Sequence, residues 1–253
     1  MQKRLAFLGF IISTEGIEPN PKKMHAIAEY PIPKKKKEVR AYLGLLNFHS
    51  QYMPNFTLRA RPLQKLTGKN AKFQWNQEEQ TAFEELKELM LKPPIMKFPN
   101  FNVQFQITTD ASDVSIAAVL QQEQEGTMSL IDSIGRALTS TEKNYSVTER
   151  ELLAIVYSLK KWRCYLLNSN HETIIMTDHL PLCHLNKLNN LQGRLQRWLW
   201  DMSEVTHTIK YVPGKTNKLA DSLSRREYLR SMLTELPKSF NNMTIQMQYT
   251  KTI

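Results

Sequence analysis

From about residue 101 the chain alternates short β-like runs with amphipathic helical runs, and that alternation leaves few folds open. "VQFQITTD" and "SIAAVLQQ" read as strands joined by a tight turn, and "SLIDSIGRAL" as a third strand after the loop "EQEGT". "SVTERELLAIVYSLKKWRCYLL" is the strongest helical run, with Leu152, Ile155, Val156 and Leu159 as its buried stripe. "ETIIMTDH" is a fourth strand, and "GRLQRWLWDMSEV" is helical with Leu195, Trp198, Leu199 and Met202 on one face. "HTIKYVPG" is a fifth strand, and "NKLADSLSRREYL" opens a last helix. The order β-β-β-α-β-α-β-α predicts a mixed sheet with helices on its faces, whose active groups gather where strands end.

Acids stand at those ends. Asp110 closes the first strand, Asp178 the fourth, and Asp221 opens the last helix. At the start of the long helix Glu149 and Glu151 compete. Ser146-x-x-Glu149 fits a capping box, which would leave Glu151 beside the stripe that faces the sheet; a cap at Thr148 would reverse the assignment. Each acid alone reads as a cap or a solvated loop charge. Converging carboxylates repel one another, and hard divalent cations with oxygen ligands relieve that repulsion. Cys164, His179, Cys183 and His184 lack the paired spacing of a zinc site. Asp113 is expected to be a turn residue bonding nearby backbone.

The first hundred residues differ. "LAFLGFIIS" and the segment after Gly16 read as a short hairpin closed by Pro19 and Pro21. A helix carrying Val39, Leu43 and Leu46 follows, and another begins at Asn76 with Glu79 completing a capping box and Phe83, Leu86 and Met90 inward. Residues 1–100 hold 17 Lys+Arg against 9 Asp+Glu, whereas residues 101–253 hold 17 against 15. That split suits a polyanion-gripping part beside a metal-binding part, although a merely soluble basic protein carries similar charge. The stretch Lys34, Lys35, Lys36, Lys37 with Arg40 has three readings: a solvated helix start, a phosphate grip, or a nuclear-localisation patch. With two cysteines, no cleavable leader pattern and no apolar run approaching a membrane span, the expectation is an intracellular protein in cytoplasm or nucleus.

The motifs "FLGFIIS..GI.P.P.K", "PIPKKKKEVRAYLGLLNFHSQYMPNF", "FQWNQEEQTAFEELKELMLKPPIM", "TTDASD", "NYSVTERELLAIVYSLKKWRCYL", "TDHLPL", "GRLQRWLWDMSEV" and "YVPGKTNKLADSLSR" occur in this order over residues 1–228. Together they resemble the C-terminal part, thumb plus RNase H domain, of a gypsy-type LTR retrotransposon reverse transcriptase. The resemblance implies an α/β, RNase H-like mixed five-stranded sheet flanked by helices, preceded by a small, mainly helical thumb-like domain. Its expected divisions are a palm or primer-grip hairpin remnant at 1–20, the thumb at 21–98, the RNase H-like domain at 99–230 and a loosely ordered tail at 231–253.

The same resemblance puts Asp110, Glu151, Asp178 and Asp221 on the family's catalytic and metal-binding positions and selects Glu151 over Glu149. It implies two Mg²⁺ ions, with Mn²⁺ able to substitute. One ion would lower the pKa of an attacking water and the other would stabilise charge on the departing 3′-oxygen. The expected substrate is the RNA strand of RNA–DNA hybrids. Expected partners are nucleic acid and the polymerase and integrase parts of a retroelement polyprotein, with no membrane. No Tyr-x-Asp-Asp is present, so polymerase activity is not expected of this chain alone. The family usually has glycine where Ser115 and Ala117 stand, and a small hydroxylic pair, in S-R-T-L, where this chain has Gly135-Arg136-Ala137-Leu138. An inactive, domesticated or decayed nucleic-acid-binding protein is therefore the rival reading.

Overall fold

A computed structural model describes residues 4–53, 55–187 and 193–213. The opening segment is a three-stranded antiparallel meander of β1 (Arg4–Phe7), β2 (Phe10–Ser13) and β3 (Gly16–Pro19). "LAFLGFIIS", expected as one strand of a hairpin, is two strands. Leu8 (φ 46°) and Gly9 (φ 88°) both take left-handed backbone and form the two-residue turn that pairs Phe7 with Phe10.

The helical part comprises α1 (Pro21–Ala28), α2 (Lys36–Asn47), the short α3 (Phe56–Arg59) and α4 (Arg61–Leu66), and α5 (Gln77–Leu91). Asn76 and Glu79 form the expected capping box of α5, with Glu79 accepting from the Asn76 amide at 2.9 Å. Phe83, Leu86 and Met90 pack against Ile27, Val39, Tyr42, Leu46 and Leu63 in one core. Tyr42 occupies the central place on α2 and Leu43 only flanks it, because the Tyr42 hydroxyl finds the Phe83 carbonyl at 3.2 Å.

A second core lies on one face of a five-stranded sheet of order β6-β5-β4-β7-β8. Its strands are β4 (Phe105–Ala111), β5 (Ser115–Gln124) and β6 (Thr127–Ala137), then β7 (Thr173–Thr177) and β8 (His207–Tyr211). The pairs β6–β5 and β5–β4 are antiparallel, and β4–β7 and β7–β8 are parallel. This is the RNase H-like architecture. Between β6 and β7 run α6 (Val147–Lys161) and α7 (Arg163–Leu166), and α8 (Arg194–Ser203) precedes β8. Leu152, Ile155, Val156 and Leu159 of α6 pack on Phe105, Ile107, Ala118 and Leu120, as their 3.6-residue spacing predicts. Each such side chain contributes roughly 1.5–3 kcal/mol of burial. The expected last helix and tail lie outside the described residues. Among the described residues no helix is long and apolar enough to cross a membrane.

The opposite sheet face is covered by the N-terminal part. Tyr52 and Met96 pack on Val119 and Leu130. Ser133 Oγ donates to the Gln51 carbonyl at 2.8 Å, and Ile17 and Met96 form an antiparallel bridge. Gly16 lets that bridge form. A Cβ there would lie 2.2 Å from the Met96 carbonyl oxygen, at a φ of +141°. Gly16→Ala is therefore expected to lower stability by about 2–3 kcal/mol, read from urea unfolding. Gly44→Ala, on an open face of α2, should instead raise it by up to about 1 kcal/mol. Equal midpoints for Gly16→Ala and wild type would mean that the bridge adds nothing to the fold.

Candidate active site

Strand pairing fixes two of the acids. Thr108 of β4 is in register with Met176 of the parallel β7, so Asp110 and Asp178, each two residues further on, reach the same sheet edge side by side. Asp178 stands one residue beyond β7 rather than on it. Glu151 comes from α6. The Ser146–Glu149 capping box holds that helix start: Glu149 accepts from the Ser146 amide at 2.8 Å, and Ser146 Oγ accepts from the Glu149 amide at 3.2 Å. Glu149 also pairs with Arg194 of α8 at 3.1 Å, which gives it a structural role. Glu151 is 6% exposed, against the sheet.

The electrostatics of the three acids are those of crowded like charge. Burial raises the Glu151 carboxyl to about 8, helped by the charges of Asp178 and Asp110 and opposed by the Ala111 amide and by Arg150. Asp110 is likewise pushed up, first by burial and then by Asp178, against hydrogen bonds from the Ala111 amide and the Asn55 side chain. Among the described residues no hydrogen-bond donor reaches the buried Glu151 Oε2. A buried carboxylate oxygen without a donor, beside two further carboxylates, is a crowding of like charge that costs stability. Among the described residues no three or more Asp, Glu, His or Cys side chains are grouped so that they could hold a metal ion. Asp221, the fourth expected ligand, lies outside the described residues.

The surroundings correct one expectation. Asp113 does not bond the turn backbone; its exposed carboxylate pairs with the largely buried Arg150 guanidinium. Ser112 holds the turn instead, its Oγ accepting from the amides of Val114 (3.3 Å) and Ser115 (3.0 Å). The buried Ser115 hydroxyl lies 3.0 Å from Ser112 Oγ and is engaged in the same turn. Ala117 is directly opposite Asp110 on β5, and Gly135 opposite Ala117 on β6. One contact carries no sequence signal: Thr148 Oγ1 lies 2.8 Å from His179 Nε2 and ties α6 to the segment after β7.

The basic stretch divides. Lys36 Nζ donates to the Gly68 carbonyl at 3.1 Å and Arg40 to the Thr67 carbonyl at 2.8 Å, at the C-terminal end of α4 where a helix dipole favours cations. Lys34, Lys35 and Lys37 are exposed. A cavity of about 410 Å³ beside β8, lined by Leu182, Cys183, Leu199 and Met202 among others, includes none of the three acids.

Known proteins are similar to this chain in sequence and in fold. Residues 75–175 match the RNase H-like domain found in reverse transcriptase. The chain is 42% identical over 226 residues to the retrovirus-related Pol polyprotein from transposon 297 of Drosophila melanogaster, covering 89% of this chain and 21% of that protein. To the Pol polyprotein from transposon gypsy of the same organism it is 35% identical over 237 residues, covering 89% and 22%. It thus spans about a fifth of the length of these relatives. Among solved structures it is similar to the dRH form of the foamy viral protease-reverse transcriptase in complex with double-stranded DNA, with a TM-score of 0.67, 20% identity, and 84% of this chain and 38% of that chain covered. The same viral protein with RNA/DNA hybrid gives a TM-score of 0.64 at 20% identity, covering 84% and 30%. At that identity the likeness is one of fold.

The raised Glu151 carboxyl has a consequence for stability. The folded state keeps a proton that the unfolded chain loses near the ordinary value of 4.5, so this group's contribution falls as pH rises from about 4.5 to about 8. Glu151→Gln removes that fall. In chelator the variant should match wild type near pH 4.5 and exceed it by on the order of 1–3 kcal/mol at pH 8 in chemical denaturation. A variant no more stable than wild type at pH 8 would mean that the carboxyl is not buried among other charges.

Proposed function

We propose that this chain, a relative of gypsy-type LTR retrotransposon reverse transcriptases that matches their thumb and RNase H part, is a divalent-metal-dependent endonuclease cutting the RNA strand of RNA–DNA hybrids. The observation that carries the reading is the meeting of Asp110, Glu151 and Asp178 at one sheet edge, with a Glu151 oxygen that no donor among the described residues satisfies. The ligand chemistry is oxygen only, which fits Mg²⁺ or Mn²⁺, and Asp110, Glu151, Asp178 and Asp221 are the residues that would hold two such ions. Bound there, the ions would supply an activated water and offset charge on the leaving 3′-oxygen.

The protein's own part is placement. Parallel β4 and β7 hold Asp110 and Asp178 abreast, while α6 brings Glu151 up from the core side. The Asp113–Arg150 pair ties the β4–β5 turn to α6 and so keeps Glu151 in line with the strand end. Selectivity for RNA would come from reading 2′-hydroxyls across a wide minor groove. Lys34, Lys35 and Lys37 would grip the phosphate backbone, with Lys36 and Arg40 bracing the helices behind them. The remaining polymerase and integrase parts of a retroelement polyprotein are the natural protein partners of such a segment.

The test is the full chain with labelled RNA–DNA hybrid and Mg²⁺. Wild type should cut the RNA strand, chelator should stop it, and Asp110→Asn should reduce the rate by about a hundredfold or more. Hybrid bound but left intact by wild type would turn the reading to a binding protein on this fold. Replacing Lys34, Lys35 and Lys37 together by Gln should flatten the dependence of log affinity on log salt by about 0.7–0.9 per lost phosphate contact. An unchanged slope would remove these lysines from the interface.

A further inference from the structure

The start of α6 is braced to the end of β7 as well as to the turn after β4. Thr148 Oγ1 lies 2.8 Å from His179 Nε2, across 31 residues of sequence. Thr148 is two residues past the helix cap, and Ser146 with Glu149 already forms that cap. Its hydroxyl is not needed for the local bond that threonine makes at a helix start, and it reaches another element instead. Thr148 and Glu151 stand three residues apart, so they share one face of α6, one above the other. A bond that holds Thr148 in place therefore holds Glu151.

On the strand side the acid is Asp178, which is exposed and lies one residue beyond β7. The ladder fixes the residue before it. Thr177 pairs with Tyr211 of β8, and its carbonyl accepts from the Val212 amide at 2.9 Å. The residue after it is His179. Its amide donates to Thr177 Oγ1 at 3.2 Å, its carbonyl accepts from the Leu182 amide at 3.0 Å, and its ring meets Thr148. Asp178 is thus a single-residue step between two anchored neighbours, and one anchor is α6 itself. The Arg150–Asp113 pair fixes the same helix start to the β4 side.

We propose that Thr148 and His179 are positioning residues: their bond sets the spacing between Glu151 on α6 and Asp178 after β7, across which the two carboxylates would share a divalent ion. The inference rests on the metal-dependent reading above and adds to it a pair of side chains that touch no ion themselves. Loss of a residue that orients metal ligands typically costs about 10–100-fold in affinity, and a displacement of about 1 Å can cost as much in rate. A brace that acts through the backbone belongs at the lower end of that range.

The full chain tests this with single and paired variants. Thr148→Val keeps the shape and removes the hydroxyl, His179→Phe keeps a flat ring and removes its nitrogens, and Thr148→Ser keeps the hydroxyl. Mn²⁺ affinity without nucleic acid is followed by the electron paramagnetic resonance signal of free Mn²⁺. It should weaken about tenfold in Thr148→Val and in His179→Phe, and stay within about twofold of wild type in Thr148→Ser. The double variant should weaken no further than either single one, because both remove the same bond. In hybrid cleavage kcat should fall by a similar factor in the two single variants, with KM for the hybrid changed less than about twofold. Mn²⁺ affinity equal to wild type in both would overturn the positioning role while leaving the site reading intact; a raised KM beside it would make the pair a nucleic-acid contact instead. Additive losses in the double variant would mean two separate roles and would overturn it too. Wild type that takes up no Mn²⁺ beyond what Asp110→Asn does would overturn both the pair and the site reading.

Discussion

The parallel pairing of β4 with β7 is the constraint from which the candidate site follows. Parallel neighbours run the same way, so equivalent residues arrive at the same edge, and the register of Thr108 with Met176 brings Asp110 and Asp178 abreast. An antiparallel pair would send the two ends to opposite edges. Parallel pairing demands a crossover, and α6 lies within it, its apolar stripe seated on the sheet and Glu151 carried to the same edge. Sheet order, helix seating and acid convergence are thus one geometric fact seen at three scales.

The carboxylates of this chain fall into two kinds, and the difference marks the site. Glu142 is held by both Arg136 nitrogens at 2.7 and 2.8 Å, and the guanidinium draws its carboxyl down to about 2. Glu149 has its helix cap and Arg194, and Asp113 has Arg150. Asp132, raised by burial, still accepts from the buried Trp162 indole at 2.8 Å. Those acids are answered within the protein. Glu151 and Asp110 are answered only in part, by one backbone amide, a shared arginine and an asparagine. Uncompensated buried charge lowers stability, and folds retain it where chemistry needs it.

Much of this was legible in the sequence because the signals are periodic or local. The α6 stripe, the α5 capping box and the Ser146–Glu149 cap all depend on spacings of three or four residues, and each is found as read. The break of "LAFLGFIIS" at Leu8-Gly9 escaped notice because an apolar run conceals a turn whose only marker is one glycine. The pairing of Asp113 is illegible for a different reason: its partner Arg150 lies on another element, and only the fold brings them together. The five basic residues at 34–40 look equivalent in sequence, yet Lys36 and Arg40 are directed by carbonyls at the end of α4, some thirty residues on. The Gln51–Ser133 contact is the extreme case, since nothing near either residue in sequence hints at the other.

The bridge between Ile17 and Met96 bears on how such a contact can be kept. It closes the intervening chain, with every helix of the first core, into a loop of roughly eighty residues, and closure entropy grows only slowly with loop length. Once closed, that loop has its ends fixed beside the sheet, and residues 51–55 lie near its middle. Gln51 is thereby held to Ser133 from within a closed loop, at a smaller cost in chain entropy than docking a separate domain would carry.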